Sequence, residues 1–372
     1  MKNDMVIMFS GDVCFCGNFR KAFHQASDIF HSQLTDLLKQ SNFHVTNLEG
    51  PIVKSKSDDI HSLTNPPGTI SYLKKRHIDV FNVSNNHMFD FKNGGWLTTR
   101  NELKNEGVHF LGAGDNLDEA SKVLYLSKND VNVGLISICD YSKVYAGYNQ
   151  PGIFSASKKK LLNQKITESK LKADYTGIIF HGGEEYSSFP SPQKRNFLRD
   201  LATKYKPDFI VSHHSHTLQG FEYIKNCIVF YSLGNFIFDY PPHRQFDGTE
   251  LGGLLQLHFT KQGINHNLHL ISINRDIAII GVTKNDAFIT KICNFSNYYK
   301  KWQYEAYRVI TKREEILPNT EKSLKKIPFS KLIISKRFYR RILTIVGSKN
   351  LRIRYFAAFI HYLRSKISRD IH

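Results

Sequence analysis

Five stretches of this chain end in residues able to bind metal ions or phosphate. Gly11-Asp12 follows the apolar run Met5–Ser10, and Asn47-Leu48-Glu49 follows His44–Thr46. Asn85-Asn86-His87 follows Val80–Ser84, His181 follows Gly177–Phe180, and His213-His214-Ser215-His216 follows Phe209–Ser212. Together they offer two carboxylates, side-chain amides and four or five imidazoles. Such a mixed oxygen and nitrogen donor set suits a site for one or two divalent metal ions. Each cluster alone has an ordinary reading: Gly-Asp is a common turn, Asn-His pairs cap and line loops, and a histidine run can be a surface patch. Recurrence at five strand ends favours a shared rim, because open α/β sheets bind ligands beyond the carboxyl ends of their strands.

The elements needed to build that rim are legible. Helical spacing marks Asp28–Gln40, Ile70–Arg76, Trp96–Glu106, Lys158–Ala173 and Pro192–Lys206. Val108–Leu111 and Val131–Ile138 add strands between them, so up to Ser212 strands and helices alternate, the mark of α/β layering. From Cys227 onward strand follows strand without helices, which predicts antiparallel pairing. Asn149–Ser157 and Pro241–Thr249 are rich in turn residues and read as loops.

Composition bounds the class. The chain has 372 residues, 41% hydrophobic and 23% charged, which is globular and excludes wholesale disorder, collagen and coiled coil. No apolar stretch is long enough for a transmembrane helix. The opening MKNDMVIMFSGD has a short apolar run and no small-residue cleavage site, so it reads as a strand rather than a signal peptide. Five scattered cysteines do not make a disulfide framework and fit a reducing, cytoplasmic compartment. The net charge of +18 is uneven: residues 300–372 hold 19 basic side chains against 5 acidic. This places an expected boundary at 299/300, between a domain 1–299 and a basic tail 300–372.

The motifs GDVCF (11–15), NLEGPI (47–52), SNNHMFDF (84–91), GAGDN (112–116), HGGEEYSSFPSPQ (181–193), SHHSHTLQGFE (212–222) and YSLGNFIFD (231–239) resemble the CapA family of poly-γ-glutamate capsule-synthesis proteins, within the calcineurin-like metallophosphoesterase superfamily. The likeness runs from about residue 5 to 280. It implies a four-layer α/β/β/α sandwich with divalent metals at the strand ends, bridged by a carboxylate. It implies Asp12, Glu49, Asn86, His181, His214 and His216 as metal ligands. His87 matches the histidine that contacts substrate or protonates the leaving group, and Asp90, three residues on, is placed to orient it or to interact with a helix dipole. Asn47, Glu185 and Asn235 fall among motifs lining the same rim and are expected to contact substrate. Imidazole and carboxylate donors favour Mn, Zn or Fe over Mg or Ca.

One departure bears on the chemistry. Phosphoesterases usually carry Asp-x-His in the first motif, and Cys14 stands at that histidine's position. Cys14 is either a thiolate ligand or a small core residue. The resemblance therefore supports two functions: a metal-dependent hydrolase or transferase acting on an anionic or phosphate-bearing polymer or its precursor, or a non-catalytic polyanion-binding component of a capsule polymer assembly. The tail predicts two basic amphipathic helices, 330–346 and 350–367. They are expected to dock on an anionic membrane surface or an envelope polymer assembly through 321–372, or else to pack as a helical hairpin. The tail has no recognised nucleic-acid motif, which argues against nucleic acid as the partner.

Overall fold

The computed structural model describes residues 4–54, 63–316 and 356. The two expected tail helices lie outside them. The chain divides into two compact units, Met1–Cys293 and Asn294–His372. Within the second unit a helix, Tyr298–Ile316, runs across residue 300.

The first unit is built on two sheets. Among the described residues one sheet has eight strands, ordered Ile279–Thr283, Gly263–Asn274, Leu251–Thr260, Met5–Cys14, Phe43–Leu48, Val80–Asn82 and His109–Leu111, with Asn235–Phe238 pairing beside Met5–Cys14. The other has six, ordered Leu218–Ile224, Cys227–Leu233, Phe209–His213, Tyr175–His181, Val131–Cys139 and Leu124–Lys128. In the first sheet Met5–Cys14, Phe43–Leu48, Val80–Asn82 and His109–Leu111 run parallel and the other side is antiparallel. In the second the four central strands are parallel and an antiparallel strand closes each edge. Parallel strands need both faces covered, and both are. Ile7, Phe9, Val133, Ile179, Phe209 and Leu257 pack between the sheets. Phe19, Leu34, Leu73 and Trp96 cover the outer face of the first sheet from its helices. Helices Lys159–Lys172 and Pro192–Lys204 bury Leu162, Ile166, Leu198 and Leu201 against the second. The layers are helix, sheet, sheet, helix, as expected.

Local differences from the sequence reading have tertiary causes. Asp28–Gln40 is not one helix. Its helix is Ser32–Leu38, because Phe30 forms a bridge with Ile280 and the amides of His31 and Ile280 bond across that contact. Helix Gly17–His24 and strand Leu124–Lys128 are not among the elements read from the sequence. Residues 85–91 form turns and helix starts only at Lys92, so Asp90 reaches His87 through a turn, its amide bonding His87 O at 3.0 Å.

Candidate metal centre

The parallel strands of both sheets end on one rim, and the strand-end clusters meet there. Asp12 lies near the end of the first strand, where its register shifts against Asn235–Phe238 and Phe43–Leu48, an irregularity of the kind that re-aims a side chain at a sheet end. The approach is close: Asp12 N bonds Gly234 O at 2.9 Å, and a Cβ at Gly11 would stand 2.1 Å from that oxygen, so glycine is required there. His214 and His216 have φ of +90° and +56°. Non-glycine residues hold such angles only where the surroundings impose them, commonly at functional sites.

Two groups of ligand-competent atoms result, each with its atoms within 4.8 Å of one another: Asp12, Glu49 and His216, and Glu49, His181 and His214. Glu49 belongs to both. Asn86 adjoins the second group, its Oδ1 2.8 Å from His181 Nε2, and His214 Nδ1 lies 3.1 Å from the same nitrogen. In the first group His216 Nε2 is 3.6 Å from Glu49 Oε1, and His216 Nδ1 is 3.5 Å from Asp12 Oδ2. Six expected ligands thus share one cleft.

The remaining expected residues surround it. His87 is partly exposed, with Nε2 3.9 Å from Glu49 Oε1 and Nδ1 2.6 Å from Asp90 Oδ2. Lys143, which sequence reasoning missed, donates to Asp90 Oδ1 at 2.8 Å. Glu185 is half-buried and near enough for its charge to raise the Glu49 carboxyl. Asn47 and Asn235 are fully buried and engage protein at both ends of their amides. Asn47 donates to Asp12 Oδ1 at 2.8 Å and accepts from Asn82 at 2.8 Å. Asn235 bonds His216 and Thr249. Asn82 and Lys194 were also missed, and His213, read as part of the histidine run, was not assigned a role. His213 Nδ1 stands 3.4 Å from Asp12 Oδ1. Lys194 is buried, donates to His213 O at 3.2 Å, and is pulled down to about 7 by that burial against the charges of Glu184, Asp12 and Asp140.

The electrostatics favour a cation. Burial, then the charge of Asp12, pushes the Glu49 carboxyl well above its usual value. Burial pushes Asp12 up as well, but the nearby His213, with His216 and Asn47, outweighs it and holds Asp12 below its usual value. Burial and the neighbouring His214 push His181 well below its own, and burial brings His214 down to about 4. Neutral imidazoles are the metal-binding form. Asp12 Oδ2 and both Glu49 carboxylate oxygens are buried with no hydrogen-bond partner among the described residues. Buried polar atoms are rarely left so, and a divalent ion between the two groups would satisfy all three. Cys14 does not join it: its sulfur belongs to neither group of ligand atoms, lies 3.6 Å from Thr64 O, and is buried with Cys16, Leu63 and Phe238.

The helix, sheet, sheet, helix layering is the calcineurin-like fold. This chain belongs to the bacterial capsule synthesis protein family PGA_cap, which matches residues 6–240. It is 31% identical over 248 residues to the capsule biosynthesis protein CapA of Bacillus anthracis, covering 64% of this chain and 59% of that protein. It is 30% identical over 264 residues to the PGA biosynthesis protein CapA of Bacillus subtilis, covering 68% of each. The chain thus spans about three fifths of the first relative's length. Among solved structures, a calcineurin-like phosphoesterase from Bacillus subtilis aligns with 78% of this chain and 95% of its own at 17% identity and a TM-score of 0.43. No helix among the described residues is long and apolar enough to cross a membrane.

Proposed function

We propose that this protein is a metal-dependent hydrolase or transferase that acts on a phosphate ester or similar anionic bond during capsule or related envelope polymer biosynthesis, poly-γ-glutamate being the polymer that its relatives' names point to. The observation that carries the reading is the sharing of Glu49 between two groups of buried ligand atoms. Asp12, Glu49 and His216 hold one ion, and Glu49, Asn86, His181 and His214 hold another, with Mn, Zn or Fe fitting these donors better than Mg or Ca. Bound there, such ions supply Lewis acidity toward a phosphoryl or carbonyl oxygen and an acidified water. The chain supplies the rest. Asp90 holds the His87 ring through Nδ1, which turns Nε2 toward the cleft. His87 is then placed to give a proton to the leaving oxygen, a contribution typically of about 10²–10⁴-fold. Lys143 steadies Asp90 from the opposite side.

One observation favours a second reading. With Cys14 outside it, the Asp12 group has three His or carboxylate ligands among the described residues. A weakly loaded site would bind a polyanion without turning it over. Metal analysis of the purified protein, with turnover of bis(p-nitrophenyl) phosphate by the wild type and by His87→Ala, separates the two. Two ions and His87-dependent turnover support the enzyme. One ion and no turnover leave the binding role. Residues 321–372 extend the reading to peripheral attachment on an anionic inner leaflet, beside a polymer-assembly machine.

A further inference from the structure

Asn235 decides how His216 presents itself. Its Nδ2 donates to Thr249 O at 2.9 Å, and a carbonyl can only accept. The oxygen end of the amide therefore faces His216, with Oδ1 2.9 Å from Nδ1. Nδ1 must carry the ring proton, which leaves the lone pair on Nε2, the nitrogen 3.6 Å from Glu49 Oε1. The tautomer of one candidate ligand thus depends on the placement of a single carbonyl, that of Thr249.

Thr249 is itself held from behind. It is fully buried, and its hydroxyl lies 2.7 Å from Phe246 O and 2.9 Å from His243 O. The one hydroxyl proton is spent on those carbonyls, and the oxygen accepts from Arg275 Nη2 at 2.8 Å. Arg275 stands just past the strand Gly263–Asn274 and is only 8% exposed. Burying a guanidinium is costly unless its bonds do something. Its backbone is pinned too, since Arg275 O accepts from Arg244 Nη2 at 3.1 Å and from Asn18 Nδ2 at 3.0 Å. The same hydroxyl bonds tie down the short helix Pro241–Gln245, whose His243 ring packs 4.4 Å from that of His216. Thr249 and Arg275 both lie beyond the residues that the family match covers.

We propose that Arg275, acting through Thr249 and Asn235, is a positioning residue that sets the tautomer and orientation of His216 and so tunes the affinity of the Asp12–Glu49–His216 group for a divalent cation. The inference rests on the metal reading above. It concerns one ligand group only, because among the described residues the hydrogen bonds of Arg275, Thr249 and Asn235 lead to His216 and none reaches His181 or His214.

The test is calorimetric titration of the full chain with Mn²⁺, with folding of each variant checked by circular dichroism. The binding event lost in Asp12→Asn identifies the first group, and that lost in His181→Ala the second. Arg275→Met and Thr249→Val should each weaken the Asp12-dependent event about tenfold, the lower end of the effect of outer partners on metal affinity, and leave the other event unchanged. The double variant should be no weaker than the worse single one, since both cut the same relay. Thr249→Ser keeps the hydroxyl and should restore wild-type affinity. Arg275→Lys keeps the charge and should lose less than Arg275→Met, so it reads the same event if a severing variant fails to fold. Unchanged affinity at the Asp12-dependent event, equal losses at both events, or additive losses would each overturn the relay while leaving the metal reading intact. A wild-type protein that binds no Mn²⁺ would remove the metal reading, and this inference with it.

Discussion

His87 and Asp90 form a short hydrogen-bonded pair, Nδ1 to Oδ2 at 2.6 Å, with the partly exposed His87 ring 3.9 Å from the buried Glu49 carboxylate. The His87 and Lys143 hydrogen bonds and charges outweigh burial and hold the Asp90 carboxyl below its usual value. Asp90 therefore stays charged and keeps the ring in one orientation. His87→Ala should lower turnover of bis(p-nitrophenyl) phosphate by roughly 10²-fold or more while metal content by elemental analysis stays at the wild-type level. Asp90→Asn should lower turnover less, because it loosens the acid without removing it. Wild-type rates in His87→Ala would remove the acid role.

The sharing of Glu49 makes a stoichiometric prediction. Asp12→Asn should cost one bound ion, His181→Ala the other, and Glu49→Ala both. Glu49→Gln has a further consequence for the metal-free protein. The carboxyl that it removes is buried beside Asp12 and lacks a hydrogen-bond partner among the described residues, so the amide should raise the melting temperature of the metal-free form while abolishing the rise that Mn²⁺ gives the wild type. Two ions retained by Glu49→Ala would contradict the shared-ligand geometry.

The candidate ligands are legible in the sequence and their supporting residues are not, for a physical reason. Asp12, Glu49, Asn86, His181, His214 and His216 each sit close after an apolar run that must be a strand, so their convergence follows from local pattern and sheet topology. Lys143 meets Asp90 across 53 residues, and Arg275 meets Thr249 across 26. Neither lysine nor arginine carries any local mark that a loop will fold back. Sequence alone leaves Cys14 open between ligand and core because its place outside both ligand groups, among Cys16, Leu63 and Phe238, is a tertiary quantity. The expected Asp28–Gln40 helix is cut short for the same reason, since the bridge of Phe30 to Ile280 spans most of the chain.

Stability should fall with acid, and His44 sets part of the slope. It is fully buried on the strand Phe43–Leu48, and burial lowers it from a usual 6.5 to about 3. Ser10 Oγ donates to Thr46, so His44 Nε2–H donates to Ser10 at 2.8 Å, and Nδ1 has no acceptor among the described residues to receive a second proton. The folded value lies below the unfolded one, so the unfolded chain binds more protons between the two. The stability is complete above about pH 6.5 and is lost as pH falls toward 3. Between pH 6.5 and pH 5 that is on the order of 2 kcal/mol. Urea denaturation of the metal-free protein should show it, and His44→Leu should flatten the slope by that order. An identical slope in His44→Leu would assign the acid sensitivity elsewhere.

The basic tail makes a prediction independent of the metal site. Residues 321–372 carry 14 basic side chains and 2 acidic, and each basic residue near an anionic bilayer surface contributes about 1 kcal/mol. Leu332, Ile333, Phe338, Ile342 and Leu343, then Ile353, Phe356, Ile360 and Leu363, recur among the basic residues of the two expected helices. Such helices lie in the headgroup region when the surface is anionic. Full-length protein should pellet with vesicles containing phosphatidylserine and stay in solution with neutral vesicles. It should release at about 1 M salt, where screening shortens the reach of charge to about 3 Å, and lose binding when truncated after Thr320. A hairpin packed on protein instead would leave both forms in the supernatant. The truncation also separates the two parts of the proposed function, because it leaves all of Asp12, Glu49, Asn86, His181, His214 and His216 in place. Metal content and turnover should be unchanged by it, and a truncated protein that binds vesicles as well as the full chain would exclude the tail as the anchor.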